Sequence, residues 1–217
     1  RPWASVEHAF EPVKRKIFYV ANNGAYVGCC GRSLYVYSIE KELVHRMIRK
    51  VRQYPDLEIV YAGANGDYLE SSNEELMNWL IESYKFNLTR VNDLLELDEP
   101  CVKVSIYKPE GIEAASRDIY EEFKDELKMS CAGDMWMDCM AKGVNKGRAI
   151  RTIQESLDIK PEETMAFGDQ LNDLEMLEQA YYSFAVANAR DEVRKAARFQ
   201  ADSNENDGVL KILKHLL

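Results

Sequence analysis

The chain has 217 residues, 46% hydrophobic and 30% charged, with a formal net charge of −9. That size admits one large or two modest domains, and the acidic balance disfavours a nucleic-acid or anionic-membrane partner. No apolar run approaches the ~18 residues that span a bilayer, the first apolar stretches are short and broken by charge, unlike a secretory signal, and five cysteines without metal-ligand spacing fit reduced thiols in the cytoplasm.

In chain order, "RPWASVEHAFEPVKRK" reads as a helix with Pro2 in its first turn. "KIFYVANNGAYV" reads as an apolar strand ending in a glycine turn. A helix is expected from about Glu40 to Gln53, with Leu43, Val44, Met47, Ile48 and Val51 on one face. "LEIVYAG" and "GDYLES" follow as two strands. "SNEELMNWLIESY" is a helix opened by a capping box of Ser72 and Glu75. "CVKVSIYK" alternates as a strand, and Ile112, Ala115, Ile119, Tyr120 and Phe123 mark a single helix. "LKMSCA" and "MWMDCM" read as antiparallel strands turning at Gly133 and Asp134.

From Gly143 strands and helices alternate. "NKGRAIRTIQESL", "NDLEMLEQA", "ARDEVRKAA" and "DGVLKILKHLL" are helices; "TMAFG", "YSFAVAN" and "FQAD" are strands. Such alternation predicts an α/β fold with a parallel sheet covered by helices. The middle section, with its paired strands, reads as a separate α+β unit inserted into that fold.

The stretch "AFGDQLNDLEML" places Asp169, Asn172 and Asp173 directly after a short apolar strand. Ligands of open α/β sheets sit at the carboxyl ends of strands. Hard carboxylate oxygens there suit Mg²⁺, which binds through one or two carboxylates plus substrate phosphate and keeps several waters. Helix capping competes as an explanation of the same residues. Lys146, between Asn145 and Gly147 at a helix start, is placed to hold a phosphoryl oxygen or is an ordinary solvated lysine. In "ANNGAY", Gly24 reads as a tight turn, with Asn23 left as a candidate site-lining amide. Asn188 reads as a helix cap before "RDEV", and Asp202, Asn204 and Asp207 read as structural. The three histidines and three tryptophans read as surface or packing residues, with Trp136 also placed to line a ligand cleft.

The combination "MDCMAKGVNKGRAI", "AFGDQLNDLEML", "AVANARDEV" and "ADSNENDGV", in this order, closely resembles the haloacid dehalogenase superfamily, and within it the Cof-type phosphatases with a type IIB cap. "NNGAY" is similar to the strand that precedes the cap. The resemblance implies a Rossmann-like core from residues 1–37 and 141–217, with an α+β cap over 38–140. It implies that Lys146 is the third-motif lysine, that Asp169 and Asp173 form the acidic fourth motif binding Mg²⁺, and that Asp169 is the direct ligand. Asn172 would order the loop and the phosphate, and Arg1 resembles the arginine that follows the second motif.

The family's first motif, a strand ending in DxDGT, is not found in the 217 residues, and no DxD follows an apolar run. By resemblance that motif supplies the aspartate nucleophile and the acid/base aspartate. The expectation is therefore a natural protein with roughly 40 more residues before Arg1, counting a strand, a helix and a strand of usual length, and no turnover by the 217 residues alone. The expected function is a Mg²⁺-dependent phosphatase on small phosphorylated metabolites, working through an aspartyl-phosphate. The alternatives are a non-catalytic phosphate-binding regulator and a phosphotransferase or mutase on the same scaffold.

Overall fold

A computed structural model describes residues 3–30 and 32–215. The chain divides into two compact units, the first ending at Val144 and the second starting at Asn145.

The first unit opens with helix α1 (Trp3–Ala9) and a three-stranded antiparallel sheet in the order β1 (Phe18–Ala21), β2 (Tyr26–Cys29), β3 (Arg32–Val36). What reads in sequence as one apolar strand is thus a hairpin. Its turn needs the left-handed region three times over: Asn22 has φ 47°, Asn23 φ 53° and Gly24 φ 99°. Asn and Gly are the residues that tolerate this, so the turn expected at Gly24 is present. Trp3 stacks on Tyr26 with ring centroids 5.7 Å apart.

Next come α2 (Lys41–Val51), β4 (Glu58–Gly63), β5 (Asp67–Leu69), α3 (Glu74–Tyr84), β6 (Leu88–Arg90), β7 (Cys101–Tyr107), α4 (Ile112–Ala115), α5 (Arg117–Phe123), β8 (Leu127–Ala132) and β9 (Trp136–Ala141). The strands form one sheet in the order β6-β5-β4-β7-β9-β8, antiparallel except for the β5–β6 pair. Side chains alternate between its faces. On one face Ile59, Tyr61, Val104, Ile106, Met137 and Cys139 join Val44, Met47, Ile48 and Val51 of α2 and Ile112, Ile119 and Phe123 of the α4–α5 pair in a common core. On the other, Val60 and Leu69 pack with Leu76 and Leu80 of α3.

Two local expectations are corrected. The cap of α3 is Asn73, whose Oδ1 accepts the Leu76 N–H at 3.0 Å, and Ser71 Oγ in turn accepts the Asn73 N–H at 2.9 Å. Asn caps as well as Ser does, so the helix starts without using Ser72 and Glu75. The single helix expected around Ile112–Phe123 is two. Ser116 sits between them at φ −101°, ψ 9°, and its hydroxyl donates to the Ile112 carbonyl at 2.6 Å, a local bond that competes with continuation of the helix.

The second unit is α6 (Lys146–Leu157), β10 (Met165–Gly168), α7 (Leu174–Leu177), β11 (Tyr182–Val186), α8 (Asp191–Ala196), β12 (Phe199–Ala201) and α9 (Gly208–Lys214). β10, β11 and β12 form a parallel sheet in that order, so the α/β reading of this segment holds. Its core gathers Ala166, Leu177, Phe184, Ala185, Val186, Val193 and Ala201. The helix expected from Asn172 to Ala180 is shorter: a 3₁₀ turn over Leu171–Asp173, then one turn of α7. At its start the Asp173 side chain bonds backward to the loop, accepting the Asp169 and Gln170 N–H groups.

Candidate active site

Strand β10 ends at Gly168 and delivers Asp169 and Gln170 into the loop before α7. A Cβ on Gly168 would lie 2.7 Å from Asp173 Cβ, so this loop closes only over glycine. Asp173 is 3% exposed. Its Oδ2 accepts the backbone N–H groups of Asp169 and Gln170, each at 3.0 Å. Its Oδ1 meets Lys146 Nζ at 2.5 Å. Burial pushes the Asp173 carboxyl up, but the Lys146 hydrogen bond, the two backbone donors and the lysine charge together hold it below the usual carboxylate range.

Lys146 is the first residue of α6. Asn145 caps that helix by accepting the Arg148 N–H at 2.7 Å. The next residue, Gly147, faces α7 so closely that a Cβ would stand 2.1 Å from the Glu175 carbonyl oxygen. The absence of a side chain there lets α6 approach and brings Lys146 onto Asp173. Lys146 Nζ also donates to Asn172 Oδ1 at 3.4 Å. Thus Lys146 meets the adjacent Asn172 and Asp173, 26 and 27 residues further along the chain, at the carboxyl end of β10.

Asp169 is different in kind. It is exposed, and Gln170 Nε2 donates to its Oδ2 at 3.3 Å. Its backbone carbonyl accepts the Arg190 N–H at 3.1 Å, which ties this loop to the one after β11. Of the two acidic residues, Asp169 presents the accessible carboxylate, while both Asp173 oxygens already serve Lys146 and the loop. Among the described residues no three His, Cys, Asp or Glu side chains are grouped to hold a metal. One exposed carboxylate still suits Mg²⁺, which can take a single protein carboxylate, substrate phosphate and waters.

Asn23 belongs to the first unit, where its Nδ2 donates to Met140 Sδ at 3.9 Å. Arg1 lies outside the described residues. Asn188 does not cap α8, whose N-cap is Arg190; its Oδ1 instead accepts the Asn204 N–H at 3.2 Å, and Asp202 pairs with Lys211 at 2.6 Å, the structural role expected of it.

Sequence reasoning missed a polar group in the first unit. Lys103 Nζ donates to Asp138 Oδ2 at 3.0 Å and Ser105 Oγ donates to Asp138 Oδ1 at 2.7 Å. With Trp136, Phe86 and His8 they line a cleft of about 440 Å³, so Trp136 does line a cleft. Lys103 and Ser105 are two apart on β7 and share a face, with Asp138 opposite Ser105 on β9. The signal was there: polar residues at alternate positions of "VKVSIY" and "MWMDCM", where a wholly buried strand would be apolar.

The sequence profile of haloacid dehalogenase-like hydrolases matches residues 1–213. The chain belongs to this family. A relative in Escherichia coli K12, the 5-amino-6-(5-phospho-D-ribitylamino)uracil phosphatase YbjI, is 30% identical over 211 residues, covering 95% of this chain and 78% of YbjI. A crystal structure from Eubacterium rectale superposes with a TM-score of 0.93 at 31% identity, over 100% of this chain and 83% of that one. The haloacid dehalogenase subclass IIB sugar phosphatase BT4131 shares the fold at 21% identity, with a TM-score of 0.76 over 97% of this chain and 79% of its own. Members of this hydrolase family named as phosphatases thus surround the chain in both sequence and fold, in line with the resemblance read from its motifs.

Proposed function

We propose that the protein is a Mg²⁺-dependent phosphatase of small phosphorylated metabolites, with Lys146, Asn172 and Asp169 handling the phosphoryl group. The observation that carries this reading is the Lys146 ammonium, held at the carboxyl end of β10 by a buried carboxylate beside the exposed Asp169. A lysine ammonium has three donors. Two go to Asp173 and Asn172, and the third is the one assigned to a phosphoryl oxygen. Asp169 is the residue assigned to Mg²⁺. Asp173 was read beside it as a second ligand; its Oδ1 reaches an ion only if Lys146 shares that oxygen, so its main role here is to position Lys146 and the Asp169 loop. When bound, Mg²⁺ offsets charge on the phosphoryl oxygens.

The residues described bind and stabilise; none attacks phosphorus. An aspartyl-phosphate route needs a nucleophilic carboxylate and an acid/base carboxylate, the pair the resemblance assigns to the DxDGT motif that the 217 residues do not contain. The proposal is therefore made for the product of the whole reading frame, with phosphate binding but no turnover for the 217 residues alone. The second reading is a non-catalytic phosphate-binding regulator.

Residues 38–140 remain proposed as the cap and 1–37 with 141–217 as the core; the unit boundary at Val144 and Asn145 lies near the C-terminal edge of that cap, while residues 1–37 group with 38–144 in the first unit. The cleft beside Lys103 and Trp136 is a candidate ligand site of the first unit. The substrate in YbjI's name, a ribityl phosphate, is the first compound to try. A cytoplasmic location is proposed from the unpaired cysteines; no helix among the described residues is long and apolar enough to cross a membrane. The decisive assay is Mg²⁺-dependent phosphate release by the product of the whole reading frame. Activity that Asp169→Ala abolishes supports the reading. Full activity in that variant overturns the assignment of Asp169, and phosphate binding without turnover by the parent favours the regulator.

A further inference from the structure

The turn between β2 and β3 carries two adjacent thiols that the phosphoryl chemistry does not use. Cys29 is the last residue of β2, opposite Phe18 of β1 and Arg32 of β3. Neighbouring side chains along a strand point to opposite faces. Cys30 breaks that alternation by entering the left-handed region at φ 55°, and its sulfur comes to 3.2 Å from that of Cys29. Cys30 is exposed and Cys29 half-buried. Cys29 is held in the ladder between β1 and β3, and the Cys30 thiol donates to the Arg15 carbonyl at 3.4 Å.

Geometry separates three uses of such a pair. A disulfide is hard to close here: neighbouring Cα atoms across a trans peptide are about 3.8 Å apart, whereas ordinary disulfides span about 4.4–6.8 Å between Cα atoms. A structural zinc ion takes four ligands at about 2.3 Å for sulfur, which sets tetrahedral sulfurs about 3.8 Å apart. The pair is closer than that, and no further His, Cys, Asp or Glu completes a group of three with it among the described residues. A pyramidal three-coordinate centre, with its sulfur bonds at nearly a right angle, holds two thiolates closer together than a tetrahedral centre does. That agrees with the observed 3.2 Å, and it needs only two protein ligands.

We propose that Cys29 and Cys30 form a dithiol site that chelates a soft, three-coordinate metalloid of the trivalent arsenical class. Soft thiolate ligands favour such centres. With an arsenoxide, two As–S bonds form and two S–H bonds break; the arsenic–oxygen bond is lost and the oxygen leaves as water with both thiol protons. Arsenic remains trivalent, so no oxidant is required. The hydrogen bond that the Cys29 thiol donates to Cys30 and its partial burial hold Cys29 in its protonated form, so the adduct forms by displacing a proton and forms faster as pH rises.

The test is intact mass after incubating the reduced protein with phenylarsine oxide. One phenylarsenic unit is expected per chain, resistant to excess glutathione and removed by 2,3-dimercaptopropanol. Cys29→Ser and Cys30→Ser are each expected to lose the glutathione-resistant adduct while keeping the circular dichroism of the parent; Cys131→Ser, at the other exposed thiol, is expected to keep it. A resistant adduct that survives in the Cys29→Ser, Cys30→Ser double variant overturns the proposal. So does a protein that takes up the probe only after a reductant cleaves a Cys29–Cys30 disulfide, because the pair is then a redox couple and not a chelate.

Discussion

Lys146 Nζ stands 2.5 Å from Asp173 Oδ1, while Oδ2 of the same carboxylate accepts two backbone N–H groups of the loop that carries Asp169. One buried carboxylate therefore fixes a cation from α6 and a loop from β10 together. The Asp173 side chain is 5% exposed and that of Lys146 30% exposed, so the pair sits at the edge between core and solvent. Its two members are unequal, since Asp173 alone has little access to water.

Removing the lysine is accordingly expected to cost more than removing the charge it faces. Lys146→Met leaves Asp173 ionised and buried without its cation, a change that costs about 3 kcal/mol in comparable sites. Asp173→Asn keeps a similar shape and leaves the half-exposed lysine to water, so a smaller loss is expected. Urea denaturation of both variants at neutral pH checks the order. Equal stability of Lys146→Met and the parent would mean that the pair holds nothing together.

The same carboxylate predicts an acid limb. Asp173 titrates below the ordinary carboxylate value. Its contribution to stability is therefore complete above about pH 4, the unfolded-state value, and is lost as pH falls through the lower folded-state value. Urea midpoints between pH 6 and pH 2.5 should fall more steeply for the parent than for Asp173→Asn. Parallel curves would show that other carboxylates govern acid unfolding.

Gly147 tests how the lysine is delivered. A methyl group there would meet the Glu175 carbonyl oxygen at 2.1 Å, and backbone cannot rotate away as a side chain can. Gly147→Ala is expected to lose about 1–3 kcal/mol, the usual cost of overpacking, and to weaken phosphate binding by moving Lys146. Denaturation and phosphate titration of this variant give the two readouts. A variant as stable as the parent would mean that α6 and α7 are not in the close contact described.

The alternation of strand and helix after Gly143, and the pairing of "LKMSCA" with "MWMDCM", were legible because period and turn residues agree there. Lys146, Asp169, Asn172 and Asp173 were legible as a motif. Which carboxylate would be buried was not, because Asp169 and Asp173 are chemically identical and only the closure of the loop over Gly168 separates them. The break at Ser116 and the cap at Asn73 depend on single hydrogen bonds that compete with equally good neighbours, and no periodicity encodes such a choice. The Lys103–Ser105–Asp138 group escaped notice because alternation marks Lys103 and Ser105 only as one face of a strand, and the group exists only in the register between β7 and β9.

Asp169 should behave as a functional residue without a structural one's cost. It is exposed, and its side chain holds no helix or strand in place. Asp169→Asn is expected to change stability by no more than about 0.5 kcal/mol and to remove the Mg²⁺ dependence of phosphate binding. Calorimetric titration of phosphate with and without Mg²⁺ separates the two effects. A variant that still responds to Mg²⁺ as the parent does would move the metal site away from this loop.

A second buried carboxyl gives the opposite pH dependence. Asp67 is 4% exposed at the start of β5, and burial pushes its carboxyl up to about 7 against the partly offsetting charge of Lys103. Both residues lie opposite Ala62 in the register of the sheet, which puts them on one face. Asp138 and Glu99 are the other charged groups beside this pair. A folded-state value above the unfolded one means that the folded chain holds the proton more tightly. The resulting stability is complete below about pH 4 and is lost as pH rises through about 7. Asp67→Asn preserves the shape and has no proton to lose. The parent should therefore lose stability between pH 5 and pH 8 relative to this variant, by more than 1 kcal/mol, since one pKa unit corresponds to about 1.4 kcal/mol. Denaturant midpoints at the two pH values decide the matter: a constant difference between parent and variant would show that Asp67 titrates in its ordinary range and that the β5 edge is open to water.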